Sequence, residues 1–510
     1  MIKSKSAVLI GECKMQSEMY MWRWQQRFQV EIASLLQNIF QILELPMACN
    51  TFIVGIPAEK PKVEQIYFQP EKCGFTAAEF TDVFAIAKDN FDHDPEQFLF
   101  MGTTHLNQAH KKSLYPKAVR NAVLSILQKY DHSRNQVSFC SVPVQKNDHW
   151  IITVIQLNQQ DFESQYRLNK ETHEVNSMRS YRIERCFLEA LIYQVLEASE
   201  LELQRQTAAS ITSFANSERV IEDAASSLLK SVEVHINQWN KFDLLSFANA
   251  IAAERYEGAA GEGRLIICST DHPDITAKIR LHTPIKIYNY RGIRKLLEVS
   301  SPKMALLCDV ESVWGLGIPL DTYQPSLENL FEIRFVEYHT WELLHADNIM
   351  MRVKYRQPRL PRTRFDQRLF GDRVSKMFNI NQATAKILIV AVEAAVEQRH
   401  GTMLVITPEA ESETRRLAAQ STLIEPVIVS KDIISHLSSV DGAILISPAG
   451  IIHSFGVILD GTASENGNST RGARYNSAIR YIDGKRSCNI NCLALIVSED
   501  GYVDLYPNLI

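Results

Sequence analysis

Apolar positions recur at helical spacing through residues 22–45 (WRWQQRFQVEIASLLQNIFQILEL), a run that stops at Pro46. The first predicted element is therefore a long amphipathic helix. Strand-like runs follow at 48–56 (ACNTFIVGI) and 63–68 (VEQIYF), then helical patterns at 75–91 and 115–130. Residues 136–157 place two β-rich runs around Lys146-Asn147-Asp148, which predicts a hairpin. From 181 to 239 the pattern is helical again, broken near 210–216, with one apolar stripe among many polar positions.

The rest of the chain carries a weak internal repeat. Near Gly263 a helix ending AERYEG leads into the apolar run RLIIC, and near Gly401 a helix ending VEQRHG leads into TMLVI. GIRKLLEVSSPKMALLCDVESVWGLGIPLD (292–321) follows the first, and SKDIISHLSSVDGAILISPAGIIHSFGVILD (430–460) follows the second. The Gly263/Gly401 and Ser300/Ser438 pairs share one offset, and Asp321/Asp460 is one residue further apart, as a single loop insertion would leave it. The repeat predicts a duplicated helix–strand–helix–strand unit. Between the copies, YRQPRLPRTRFDQRLFGD (355–372) reads as a linker, with two prolines and many charges. Over residues 20–200 the order of helix, strands, helices, hairpin and closing helix resembles GAF-type ligand-sensing domains. The expected fold class is α/β (α+β). Its parts are a GAF-like sensor at 1–200, a helical connector at 201–240, a first mixed-sheet unit at 241–360 and a second at 370–510.

Composition narrows this picture. A chain of 510 residues exceeds one ordinary core and fits three or four domains. Hydrophobic residues at 45% and charged residues at 22% exclude wholesale disorder. A net charge of −5 is a poor match to binding by counterion release, so nucleic acid is not an expected partner. Nine cysteines scattered from Cys13 to Cys492 make no disulfide framework and fit a reducing compartment. The opening MIKSKSAVLIGECK has a run of only four apolar residues before Gly11, too few for a signal-peptide core. The most apolar helical stretch, 383–396, carries Lys386 and Glu393 and falls short of the ~18–20 residues of a membrane span. The chain is expected to be cytoplasmic, with no membrane partner.

Common nucleotide and metal signatures are missing. No GxxxxGK[ST] loop occurs, GAAGEG (258–263) has the wrong glycine order for a dinucleotide fingerprint, and there is no HExxH. CNINC (Cys488, Cys492) lacks a second ligand pair for zinc, and Asp92-His93-Asp94 reads as a polar loop. The remaining chemistry lies near the C-terminus. Asp441 stands just before the apolar run Ala443-Ile444-Leu445-Ile446, with Gly442 beside it. Glycine permits close backbone approach by a ligand, and a strand-edge aspartate can bind a cation. Taken alone, an Asp-Gly turn opening a core strand is the commoner case. Further on, Arg471 and Arg474 flank Gly472-Ala473 where small residues open a helical run. That arrangement suits triphosphate oxygens at a helix N-terminus, although a capped surface helix looks the same. The strand CLALIV ends in Ser498-Glu499-Asp500, either carboxylates at the same sheet edge or a turn.

In this order the residues resemble the diadenylate cyclase (DAC) domain family, which includes the DNA-integrity scanning proteins and the membrane-bound bacterial cyclases, over 370–510. That family shows a long helix, a His-Gly turn into a strand, Asp-Gly-Ala, a Gly-Thr-Arg-His-Arg phosphate motif and a strand ending in Ser-Glu. This chain offers His400-Gly401, Asp441-Gly442-Ala443, Gly472-Ala473-Arg474-Tyr475-Asn476 and Ser498-Glu499. It departs in the phosphate motif, where Arg-His-Arg is Arg474-Tyr475-Asn476, and before Asp-Gly-Ala, where Leu-His is Ser439-Val440. Asn476 cannot neutralise a phosphate, and a lost charge-assisted contact costs ~1.5–3 kcal/mol. Arg471 and Arg480 are candidates to supply the charge. In the first copy Lys303 falls at the position of Asp441 and FEIRFVEYHTWELLH replaces the arginine motif. That copy reads as non-catalytic.

The resemblance implies condensation of two ATP molecules into cyclic di-AMP with release of two pyrophosphates. It gives catalytic roles to Asp441, Arg474 and Glu499, with Asp441 and Glu499 holding Mg²⁺ or Mn²⁺. It lines the nucleotide with Gly401, Thr402, Gly442, Ala443, Arg471, Gly472, Ala473, Tyr475, Asn476 and Ser477. Two sites must meet face to face, which implies a homodimer or larger oligomer joined through 370–510 and controlled by the N-terminal sensor. The competing expectation is a catalytically inactive sensor of ATP or a cyclic dinucleotide on the same fold.

Overall fold

The computed structural model describes residues 21–43, 45, 47–58, 65–99, 102–176, 179–205, 215–237, 242–255, 262–301, 303–361, 367–396, 401–462, 472–497 and 503–507. The chain divides into two compact units, Met1–Pro361 and Arg362–Ile510.

In the first unit the apolar stripe near the N-terminus becomes α1 (Gln25–Ile42), which buries Phe28, Ile32, Leu36 and Ile39. Strands β1 (Cys49–Pro57), β2 (Tyr67–Gln69), β3 (Gln136–Cys140), β4 (Val144–Lys146) and β5 (His149–Asn158) form an antiparallel sheet around the β1–β5 pair. The predicted hairpin is β4–β5, turning at Asn147 with φ 49°. Helices α2 (Val83–Asp92) and α3 (Thr104–Arg134) cover one face of this sheet. The structure starts α3 well before the predicted 115, because its first turns bury almost nothing and so show no apolar period. The helical pattern read as one run at 75–91 is split, with a 3₁₀ turn at Ala77–Phe80 preceding α2.

After α4 (Gln159–Glu163) and the hairpin β6 (Thr172–Asn176)–β7 (Arg179–Arg182), α5 (Phe187–Arg205) and α6 (Ser217–His235) pack on the other face. The connector is no free tether. One core cluster joins α1, α5, α6 and α7 (Leu244–Ala253) to the next sheet, with Leu228, Leu229 and Val232 of α6 inside it. Buried Glu328 adds a polar tie, accepting the N–H groups of Asn169 and Lys170.

The second sheet of this unit runs β15 (Gln357–Arg359), β14 (Asn348–Lys354), β13 (Thr340–His345), β12 (Phe331–Glu337), β8 (Gly263–Ile267), β10 (Ala305–Cys308), β11 (Ser312–Pro319), β9 (Ile275–Lys286), with α8 (Tyr290–Leu297) leading into β10. β15 lies within the stretch read as a linker, where it pairs with β14.

In the second unit, α9 (Gln367–Phe378) also begins inside that stretch and is followed by α10 (Gln382–Val396), whose start Asn381 caps by accepting the Thr384 N–H at 2.8 Å. The sheet order is β17 (Thr422–Ile428), β19 (Ile451–Val457), β18 (Ala443–Ile446), β16 (Thr402–Ile406), β20 (Leu493–Val497), β21 (Val503–Tyr506). Strand for strand this repeats β9-β11-β10-β8-β12-β13, with the same parallel pair at its centre, β8/β10 in one and β16/β18 in the other. The duplication read from sparse spacing is thus a duplication of topology. Parallel pairs are covered on both faces. Here Leu404, Ile406, Ile444 and Leu495 pack under α9, α10 and α12 (Lys431–Leu437), while Met403, Val405, Leu445 and Ile496 pack under α13 (Ala473–Ser487). A short helix α11 (Ala410–Arg416) adds to that second face. The first copy has no helix between β11 and β12, only a 3₁₀ turn at Pro325–Leu327.

Candidate functional site

Strand direction decides what meets at one end of the C-terminal sheet. β16 and β18 run parallel and start there, at Thr402 and Ala443. β20 runs against β16, so Val497 arrives opposite Thr402, and β19 runs against β18, so Val457 arrives opposite Ala443. Helix α12 is capped by the Ser430 hydroxyl, which accepts the Ile433 N–H at 3.3 Å. It ends at Leu437, and the chain crosses through Ser438–Val440 to deliver Asp441 to this end. Thr402 braces the crossing by donating its hydroxyl to the Ser438 carbonyl at 3.3 Å.

Gly442 has φ +117°, and a Cβ there would lie 2.5 Å from the carbonyl carbon of Gly456 and 2.8 Å from the Val457 nitrogen. The close approach that demands this glycine is made by β19 itself. Ligand approach, the reason read from the sequence, is not needed to explain it. Asp441 is 85% exposed and accepts a hydrogen bond from an Nη of Arg474. That bond and the guanidinium charge hold its carboxyl below the usual range, and an exposed aspartate is ionised at neutral pH in any case.

Arg474 sits in the first turn of α13. The helix begins at Gly472, whose Cβ position faces open space and which offers no side-chain cap. The N-terminus of a helix carries the positive end of its dipole. The site therefore joins an anion-binding helix start and a guanidinium to an open carboxylate, two carriers of opposite charge at one sheet end. Other expected residues are turned elsewhere. The Asn476 amide donates to the Gly472 carbonyl at 3.3 Å, the Ser477 hydroxyl to the Arg474 carbonyl at 2.9 Å, and Arg480 Nε to the Asn476 carbonyl at 3.1 Å. Tyr475 packs on the apolar cluster beneath α13, and Gly401, Thr402 and Ala443 are buried. His400, Arg471, Ser498, Glu499 and Asp500 lie outside the described residues. Among the described residues no group of three or more His, Cys, Asp or Glu forms a closed metal cage. An open, ionised carboxylate suits Mg²⁺ or Mn²⁺, which keep water and take one or two carboxylates together with phosphate oxygens of a substrate.

Sequence reasoning missed the group that fixes α13. Glu413 on α11 is 5% exposed at its side chain and accepts from Tyr481 (2.8 Å), Lys485 (2.8 Å) and Arg416 (2.7 Å). Burial opposes ionisation of Glu413, but the hydrogen bonds from Arg416, Lys485 and Tyr481 prevail and bring it down to about 2. Arg416 also reaches Asp460, and the Cβ position of Gly461 lies 2.9 Å from the Arg480 backbone. Only the i, i+4 spacing of Tyr481 and Lys485 hinted at a shared partner.

Residues 389–508 match the family model of the DisA bacterial checkpoint controller nucleotide-binding domain, abbreviated DAC. Residues 21–229 match the probable sensor domain DACNG, and residues 242–347 match the probable sensor domain DACNH. No curated protein matches the chain significantly. Among solved structures the chain is similar to DacA from Staphylococcus aureus, a double mutant, at 18% identity and TM-score 0.19, covering 28% of this chain and 82% of that one. It is also similar to a hypothetical membrane spanning protein from Bacillus cereus at 20% identity and TM-score 0.20, covering 25% of this chain and 65% of that one. Among the described residues of this chain, no helix is long and apolar enough to cross a membrane.

Two stability measurements follow from the geometry. Gly442→Ala forces a backbone clash at positive φ and is expected to cost more than about 2 kcal/mol in urea unfolding. Glu413→Gln is expected to cost about 3 kcal/mol, because the folded pKa lies below the ordinary value. The sign fixes the pH window: the contribution of Glu413 is complete above its unfolded pKa of 4.5 and fades as pH falls toward about 2. The exposed Arg415–Glu411 pair sets the comparison, and Arg415→Gln should change stability by less than ~0.5 kcal/mol.

Proposed function

With a DAC domain at the C-terminus behind two probable sensor domains, we propose that this protein condenses two ATP molecules into cyclic di-AMP and two pyrophosphates. The observation that carries the proposal is the meeting of Arg474 with Asp441 at the N-terminus of α13. In each half-reaction a 3′-oxygen of one ATP forms a bond to the α-phosphorus of the other. The bond to pyrophosphate breaks, and the hydroxyl proton passes to solvent. Positioning and charge neutralisation supply most of the rate in such transfers.

On this reading Arg474 and the N-terminus of α13 hold the triphosphate, and Asp441, with Glu499, holds the divalent cation. That cation, when bound, lowers the pKa of the attacking hydroxyl and neutralises phosphate charge. The buried Ala443 and Thr402 form the floor and brace of the turn and do not face the nucleotide. Each site holds one ATP, so two C-terminal units must face each other in a homodimer or larger assembly. The first copy cannot be the second half. Lys303 stands two residues before β10, as Asp441 does before β18, and the copy lacks a counterpart of α13 among the described residues. The sensor domains are proposed to control the encounter of the two sites.

One observation favours a second reading, retention of ATP without turnover. Asn476 replaces the second arginine of the family motif and spends its amide on its own helix.

The test incubates the full chain with ATP and Mg²⁺ or Mn²⁺ and separates the products by chromatography. Cyclic di-AMP is expected, abolished by Asp441→Asn and reduced about 10- to 100-fold in kcat/KM by Arg474→Gln, from ~1.5–3 kcal/mol of lost charge-assisted bonding. Lys303→Ala should leave the rate unchanged. ATP retained on the protein with no product would replace this reading with the sensor.

A further inference from the structure

The first unit contains a cavity of about 260 Å³ in which α1, α6 and β15 meet. Its apolar floor is made by Leu43, Ile221 and Pro358, all buried. The α6 wall brings Glu218 and Glu222, one helical turn apart, and the β15 wall brings Arg359. Arg356 joins it from the two-residue turn between β14 and β15, where Tyr355 (φ 49°) and Arg356 (φ 66°) are both left-handed and so fix the turn tightly.

These four charges are not spent on each other. Among the described residues Glu218, Glu222, Arg356 and Arg359 form no ion pair, and the buried Nε of Arg359 has no hydrogen-bond partner. Arg359 Nη2 donates to Gln357 Oε1 at 3.5 Å, a weak contact. The buried Nε is closed off from the cavity, so a carboxylate there would meet Arg359 through the terminal nitrogens of its guanidinium, in charge-assisted bonds. The opposite wall asks for a cation. The volume lies below the ~300–1,000 Å³ of pockets for drug-sized ligands, too small for a nucleotide.

From these walls we infer that the first unit binds a small zwitterion with an apolar side chain, of the class of a free branched or aromatic amino acid. Its carboxylate lies on Arg359 and Arg356, its ammonium on Glu218 and Glu222, and its side chain on Leu43, Ile221 and Pro358. β15 is the last strand before Pro361, where the first unit ends, so an occupied cavity ties the sensor helices to the strand that leaves toward the DAC domain. The inference concerns binding alone and stands whether or not the protein makes cyclic di-AMP.

Isothermal titration of the full chain with L-leucine and L-phenylalanine tests it. The single-charge analogues 4-methylpentanoate and isoamylamine serve as controls. At least one amino acid is expected to bind saturably, one per chain, and both analogues at least about tenfold more weakly. Arg359→Gln and Glu222→Gln should each weaken binding about tenfold or more. Glu222 is exposed, so its variant keeps the fold, and thermal melts check Arg359→Gln. The inference is overturned by no binding of either amino acid up to ~10 mM. Affinity unchanged in both variants, or an analogue as tight as leucine, would overturn it equally.

Discussion

A parallel strand pair must be covered on both faces, and that constraint organises the C-terminal unit. β16 and β18 expose alternate side chains to either side. Leu404 and Ile444 go to the face of α10, Met403 and Leu445 to the face of α13. Because α13 must cover the second face, its N-terminus comes to lie at the start of β18, and Arg474 meets Asp441 there. The meeting of the two charges is a consequence of covering the sheet. The first copy shows the converse. Its equivalent face carries Ile266, Leu307 and Trp314 with only the segment around Tyr323 and Leu330 against it, so no helix start faces the turn at Lys303.

α13 is a poor helix to rely on. It buries only Ala478, Ile479, Tyr481 and Ile482, and Gly484 near its end lowers its propensity by about 1 kcal/mol relative to alanine. Hydrophobic burial alone would leave its direction loosely set. The Glu413 carboxylate supplies the direction, since a buried, ionised group bonded by tyrosine, lysine and arginine at once tolerates little displacement. Losing one partner would leave the charge uncompensated, so the network holds as a unit. The grip at one end of α13 thus depends on an anion near the other.

Much of this was legible in the sequence, for a physical reason. Strands buried on both faces read as unbroken apolar runs, and TMLVI, AILI and LALIV are such runs. The order of Asp-Gly-Ala and the Gly472–Arg474 helix start could be read because each is local. What escaped was long-range or lacked an apolar signal. Glu413 meets partners 68 and 72 residues away, pairings that no local pattern encodes. The first turns of α3 are polar and exposed, so no period marks them, and β15 is three residues long beside prolines. The packing reason for Gly442 could not be seen, since its contact with Gly456 exists only once β18 and β19 pair.

The Asp441–Arg474 pair also bears on how a site with one motif arginine handles its charges. An exposed ion pair contributes only ~0–1 kcal/mol, so it does not lock the site. It can keep two mobile side chains at one place and leave the carboxylate ionised. On the proposed reading, a triphosphate draws Arg474 away from Asp441 as it brings the phosphate oxygens and cation that Asp441 then serves. Each group exchanges one opposite charge for another, and no step leaves either unpaired. Binding of anion and cation is then coupled, and coupling of this kind is reciprocal: whatever the anion does for the cation's affinity, the cation does for the anion's.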